Sequence, residues 1–181
     1  KFIFIAAAVC ITCSLMMMTM WMNAIIEVMF LEHYTDFMKM EYNVGFRGFH
    51  DERVLKEVKE NINYNHMEGR IELPFEIKNG RHSKIVNVIG LEERTEFYDF
   101  RDLDGNKFTI PKEGILISSN LARALDADKG DRILLESFTP DSEGKYVTVK
   151  GVIEQSLGIN GYMNINYVNE MFLDKSIING V

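Results

Sequence analysis

A chain of 181 residues has room for one domain with a hydrophobic core of its own. Two cysteines exclude a disulfide scaffold, and three prolines with 13 glycines exclude collagen-like and low-complexity chains. A net charge of −7 argues against nucleic acid, whose phosphates select a basic face.

A mean hydropathy of −0.09 looks like that of an ordinary soluble protein, but the average hides an asymmetry. Every acidic side chain, and every basic one except Lys1, lies in residues 27–181. Phe2 to Met22 reads FIFIAAAVCITCSLMMMTMWM, with Thr12, Ser14 and Thr19 as the only polar interruptions. About 20 apolar residues cross a hydrocarbon core of about 30 Å as a helix, and hydroxyls are tolerated there when they bond back to their own backbone. Trp21 sits where an interfacial aromatic belongs. The segment is therefore expected to span a membrane. A cleaved signal peptide has a shorter apolar region, about 7–15 residues. A buried core helix is rarely apolar on every face. Lys1 before the span and Glu27, Glu32 and Asp36 after it place residues 27–181 outside the cytoplasm. The chain begins at Lys1 rather than Met and is expected to be part of a longer protein.

Beyond the span, Val28, Leu31, Tyr34, Thr35 and Met38 recur at helical spacing, so the helix should run on as a stalk to about Lys39. Met40–Arg47 alternates and reads as a strand. Asp51 can cap a helix over DERVLKEVKENI, with Val54, Leu55, Val58 and Ile62 on one face. Arg70–Ile77 and Lys84–Leu91 read as two strands of a hairpin turned at Asn79-Gly80. Glu92 to Pro111 is a polar middle with a turn at Asp104-Gly105 and a short strand at Phe108–Ile110. Gly114–Ser118 is a buried strand, and Ser118 or Ser119 caps a helix over NLARALDA. Lys129-Gly130-Asp131 turns into the strand Arg132–Glu136, and Thr139–Gly144 forms a hairpin loop. Tyr146–Lys150 leads through Gly151 into Val152–Gln155, and a last strand, Tyr162–Ile165, precedes a helix over NYVNEMFL. Hairpins with short helices between them make an α+β layout.

Little in this chain nominates chemistry. It has no P-loop, dinucleotide-binding, nucleophile-elbow or zinc-protease signature. Cys10-Ile-Thr-Cys13 spells CxxC but lies inside the apolar run, where thiolates are disfavoured. The methionines Met16, Met17, Met18, Met20 and Met22 read as flexible apolar filler. His33, His50, His66 and His82 have no ligand-like spacing. Asp102-Leu-Asp-Gly105 resembles half of a calcium loop, but no bidentate Glu follows at the required spacing, since Glu113 comes too late, and a turn is expected instead. No catalytic, cofactor-binding or metal residue is assigned.

Taken together, Gly114–Ile133, Val147–Ile153, Leu157-Gly158 and Gly161–Asn164 resemble the core segments of the extracytoplasmic domain of MacB-like and FtsX-like ABC transporter permeases. Ile89–Glu92 and Leu103–Gly105 fall where that group has an Ile-Gly-Leu run and an Asp-Gly turn. The apolar helix before them is similar to the family's first membrane span. The resemblance implies an N-terminal transmembrane and stalk helix, residues 1–39, followed by a mixed α+β extracytoplasmic domain, residues 40–181. Two β-rich subdomains, roughly 40–92 and 93–181, are expected within it. It further implies a permease fragment without catalysis of its own, in which the outer domain transmits ATP-driven motion for export or extraction of a lipid, peptide, lipoprotein or antibiotic. The implied partners are a separate cytoplasmic ATPase, a second permease copy or homologue, the lipid bilayer and the transported substrate. Further apolar stretches would follow Val181. The alternative is a single-span anchored extracellular binding or adaptor domain.

Overall fold

A computed structural model describes residues 1–51, 53–61, 64–138, 143–173 and 175–181. Helix α1, Phe2–Leu31, has no buried residue and continues without a break into a π-helical turn, Glu32–Phe37. Helix and turn together form 36 residues long and apolar enough to cross a bilayer. At about 1.5 Å per residue they reach about 54 Å, so about 24 Å remain outside a 30 Å hydrocarbon layer. The three hydroxyls of the apolar run are satisfied within the helix. Thr12 donates to the Ala8 carbonyl, Ser14 to Cys10 and Thr19 to Met16, at 2.7, 2.9 and 2.8 Å. Cys10 and Cys13 are free and exposed on the helix surface.

The expected stalk ends two residues early. Met38 already has extended dihedrals, and its amide donates 2.9 Å to the His33 carbonyl, which closes the wide turn. The strand expected at Met40–Arg47 is displaced to β1, Gly45–Asp51. Its partner sets that position. It pairs antiparallel with β8, Ile177–Gly180, through a register shift between Gly45 and His50. Helix α2, Arg53–Asn61, follows, with the Asp51 carboxylate accepting from the Arg53 amide at 2.9 Å. Ile62, expected on the apolar face of that helix, lies outside the described residues.

The body of the fold is a closed six-stranded barrel. Strand β2, Ile71–Asn79, forms the expected hairpin with β3, His82–Leu91, although the two turn residues are Gly80 and Arg81. After β4, Ile115–Ser118, comes the short helix α3, Ser119–Leu125. Its N-cap is Ser118, whose Oγ accepts from the Leu121 amide. Then follow β5, Arg132–Ser137, β6, Lys145–Ile153, β7, Asn160–Asn164, and helix α4, Ile165–Phe172. Around the barrel the order is β2, β3, β7, β4, β6, β5. It draws strands from residues 40–92 and from residues 93–181 alike. The loop expected at Thr139–Gly144 lies outside the described residues over 139–142.

Two expectations within the barrel are corrected. Gly151 does not divide a strand, because β6 runs unbroken to Ile153, with a register shift opposite Ile115 and Leu116. A Cβ there would approach Leu116 and the Phe108 ring to 3.2 Å, so the residue serves close packing rather than a turn. Phe108–Ile110 is no strand. The Phe108 amide donates locally to the Phe100 carbonyl at 2.8 Å. Inside the barrel, Ile71, Phe75, Ile77, Val88, Ile117, Leu121, Leu125, Ile133, Val147 and Met163 form one buried cluster. The alternation of β2, inward at Ile71, Leu73, Phe75 and Ile77, is the period-2 pattern that fills it.

Candidate functional site: the junction of helix and domain

A second buried cluster lies where the long helix meets the barrel. It contains Phe37, Tyr98, Phe100, Ile110, Leu116, Ile153 and Tyr162. Phe37, the last residue of the π-helical turn, sits among three aromatic rings, with centroids 5.7 Å from Tyr98, 5.8 Å from Phe100 and 6.0 Å from Tyr162. All three approach at interplanar angles of 66–78°, the edge-to-face arrangement that ring quadrupoles favour. One turn back, His33 stacks on Phe37 at 5.5 Å. Four residues apart, His33 and Phe37 share one face of the helix end, and both are buried while Tyr34 is exposed.

The backbone clasps what the rings seat. Met38 forms an antiparallel bridge with Tyr98. The Lys39 amide donates to the Phe97 carbonyl at 2.9 Å, and the Asp99 amide to the Phe37 carbonyl at 3.0 Å. Polar contacts frame this seat on two sides. Ser156 donates to the Glu32 carboxylate at 2.6 Å. Ser156 belongs to the loop after β6, whose Gln155 accepts from the buried Tyr162 hydroxyl at 3.2 Å and donates to the Leu157 carbonyl. On the other side, the Asp99 carboxylate collects Arg101 at 2.8 Å, Lys107 at 3.2 Å and Lys39 at 3.4 Å. Burial pushes the Asp99 carboxyl up, but hydrogen bonds from Arg101 and Lys107 and the charges of Lys39 and Arg101 outweigh it, bringing its pKa down to about 2. For the Tyr162 hydroxyl burial dominates and raises the pKa strongly.

The sequence reading missed this site. The stretch Glu92–Pro111 was expected to be polar, yet Tyr98, Phe100 and Ile110 are buried in it. The signal was the alternation Tyr98-Asp99-Phe100-Arg101, with rings and charges pointing opposite ways.

Among the described residues no group of three or more His, Cys, Asp or Glu is gathered as a metal would require. Asp102-Leu-Asp-Gly105 is a turn. The Asp102 carboxylate accepts from the Asp104 and Asn106 amides at 3.0 and 2.8 Å and from the Asn106 side chain at 3.0 Å, so its oxygens are already used. Asp131 accepts from the Asp128 amide at 2.8 Å beside Gly130, whose φ is +103°. Several of the segments that carried the resemblance meet instead in the barrel wall. Ile89, Gly90 and Leu91 of β3 lie opposite Tyr162, Met163 and Asn164 of β7, and β4 lies between β7 and β6. They are scaffold around the seat of Phe37.

No protein-family model matches this sequence, and no curated protein sequence matches it. Solved structures do match. The extracellular domain of the ABC-type transporter YknZ from Gram-positive bacteria aligns with a TM-score of 0.54 and 12% identity, over 76% of this chain and 79% of that one. The periplasmic region of MacB from Actinobacillus actinomycetemcomitans aligns with a TM-score of 0.53 and 11% identity, over 76% of this chain and 70% of that one. Over about three quarters of its length the chain therefore shares the fold of these extracytoplasmic domains of MacB-like transporters, and as a whole it is a mixed α+β fold behind an apolar N-terminal helix.

Proposed function

We propose that this chain, which has the fold of the outer domain of MacB-like ABC transporters, is the first membrane helix and extracytoplasmic domain of a permease subunit. It catalyses nothing itself and passes motion between the membrane and the outer domain. Residues 1–39 are the membrane and stalk unit and residues 40–181 the outer domain, with subdomains near 40–92 and 93–181. A separate cytoplasmic ATPase supplies the energy, and a second permease copy or homologue completes the membrane part. The cargo is a lipid, peptide, lipoprotein or antibiotic. Lys1 at the inner end of the span and the sites of the two related domains, extracellular in one and periplasmic in the other, support this orientation.

The observation that carries the reading is the seat of Phe37. A flexible tether would hang a domain from its anchor. Here a helix free of breaks ends with a large side chain inside a ring cluster, and the next two residues are clasped by backbone hydrogen bonds. Displacing or rotating the helix must move the barrel wall or empty the cluster, and close packing makes the second costly.

The test uses the full reading frame, purified in lipid with its neighbouring ATPase. The ATPase is expected to co-purify, and Phe37→Ala to retain ATP hydrolysis while transport falls about tenfold, a coupling of ordinary size. A frame with no further membrane span and no ATPase partner overturns the reading in favour of an anchored extracellular adaptor. Undiminished transport in Phe37→Ala reduces the domain to a spacer.

A further inference from the structure

Among the described residues Glu68 is the one buried acidic side chain, 6% exposed, and nothing in the seat of Phe37 accounts for it. It lies in the segment between α2 and β2. One carboxylate oxygen, Oε1, accepts from the Glu96 amide at 3.0 Å and lies 3.0 Å from His66 Nε2. The other oxygen is buried with no hydrogen-bond partner among the described residues. A buried carboxylate is costly to keep, so what it joins matters.

On one side it holds the strip that receives the helix. Glu96 immediately precedes Phe97, Tyr98 and Asp99, the residues that clasp Phe37, Met38 and Lys39. The Phe97 ring packs on His66 at 5.3 Å, so the two segments meet twice. On the other side, two residues after Glu68, Arg70 exchanges backbone hydrogen bonds with β8. Its amide donates to the Gly180 carbonyl at 2.8 Å, and its carbonyl accepts from the Asn179 and Gly180 amides at 3.0 and 3.2 Å. Gly69 between them packs against Ile178 of β8, to which a Cβ would come within 3.3 Å. Asn179 locks the same place, accepting from the Glu72 amide and donating to the Glu72 carbonyl at 2.8 and 2.7 Å. β8 also meets the chain just beyond the stalk, since Val44 and Val181 donate to each other's carbonyls at 2.8 and 2.9 Å.

We infer that Glu68 is the rivet between the strip that seats the membrane helix and strand β8, so that a displacement of Phe37 is felt at β8 through the Glu96 amide. A carboxylate suits the task, because a charge-assisted bond to an amide is stronger than a neutral one. Glu68 is a positioning residue that acts through Glu96 and Arg70. This inference rests on the reading of Phe37 as the mechanical seat.

The experiment is residue-resolved hydrogen exchange on the full chain in lipid nanodiscs. Phe37→Leu disturbs the seat and is measured alone and combined with Glu68→Gln or Glu68→Leu. Alone it is expected to speed exchange of the Asp99 amide, which donates to Phe37, and of the Gly180 and Val181 amides about fivefold, the low end of couplings between separate sites. With Glu68→Leu the added acceleration at Gly180 and Val181 falls below about twofold while that at Asp99 persists. Glu68→Gln keeps the shape and one acceptor but drops the charge, and at least halves the added effect; it decides the matter if the leucine variant does not fold. Equal acceleration of β8 in every background overturns the role of Glu68, as does unchanged β8 exchange in Phe37→Leu when Asp99 responds. A Phe37→Leu chain in which the Asp99 amide does not respond overturns the seat itself.

Discussion

The barrel interior and the cluster beneath Phe37 lie side by side but are built from different materials. The interior is mostly aliphatic, with Ile71, Ile77, Ile117, Leu121, Leu125, Ile133 and Val147 contributed by alternating strands and by α3. The cluster beneath Phe37 sets four rings, at centroid distances of 4.9–6.0 Å, among the aliphatic side chains Ile89, Leu91, Ile110, Leu116 and Ile153. Branched aliphatic side chains interdigitate in fixed rotamers and resist rearrangement. Rings meeting edge to face add a geometric preference to the area they bury. The difference teaches how the attachment is made. The barrel is filled by aliphatic shape, and the end of the helix is held by oriented rings as well.

Substitutions can break this comparison, beginning with the largest effect. Phe75 is fully buried in the barrel and packs on Phe172 at 4.7 Å. Phe75→Ala is expected to cost about 4–5 kcal/mol, the upper range for a buried phenylalanine. Denaturant unfolding followed on the outer domain checks this, and the attachment of the helix should be unaffected while the fold persists. Phe37→Ala is expected to cost about 3 kcal/mol, because Phe37 sits at the edge of the domain. Its signature is different, with exchange rising first at Asp99 and Lys39 while the barrel amides hold. If both variants loosen the same amides, the two clusters are one cooperative core and the comparison fails.

The third and smallest effect concerns the polar frame. The folded-state pKa of Asp99, about 2, lies below the ordinary value of 3.8. The group therefore contributes stability that is fully present above about pH 4 and is lost as pH falls toward 2. Solvent screening holds the contribution to about 1 kcal/mol. Asp99→Asn should remove that step from the acid-unfolding curve while lowering stability at neutral pH by a similar amount. An unchanged acid limb would mean that Lys39, Arg101 and Lys107 do not hold the junction.

The legibility of this chain differs by region in the same way. The long apolar helix needed only composition, since an uncharged run of this length is long and apolar enough to cross a bilayer. The hairpin of β2 and β3 and the cap at Ser118 were readable because alternation and capping are local. The position of β1 was not, because its partner β8 lies more than a hundred residues away and chose a later register than the alternation of Met40–Arg47 offered. Nor was the continuity of β6 through Gly151, which depends on Leu116 and Phe108 arriving from elsewhere. The seat of Phe37 stayed hidden for a related reason. Its rings come from a helix end, an irregular segment and β7, so no single window of sequence contains them.

The π-helical turn has one more consequence. A turn closed from Met38 back to His33 holds a residue more than an α-helical turn would. Each residue of an α-helix advances the side chains by about 100° around the axis. The turn is thus a reserve of slack with a definite size. If it tightened to α-helical winding, Phe37 would swing about a quarter-turn out of its ring pocket without any backbone hydrogen bond in the apolar span being broken.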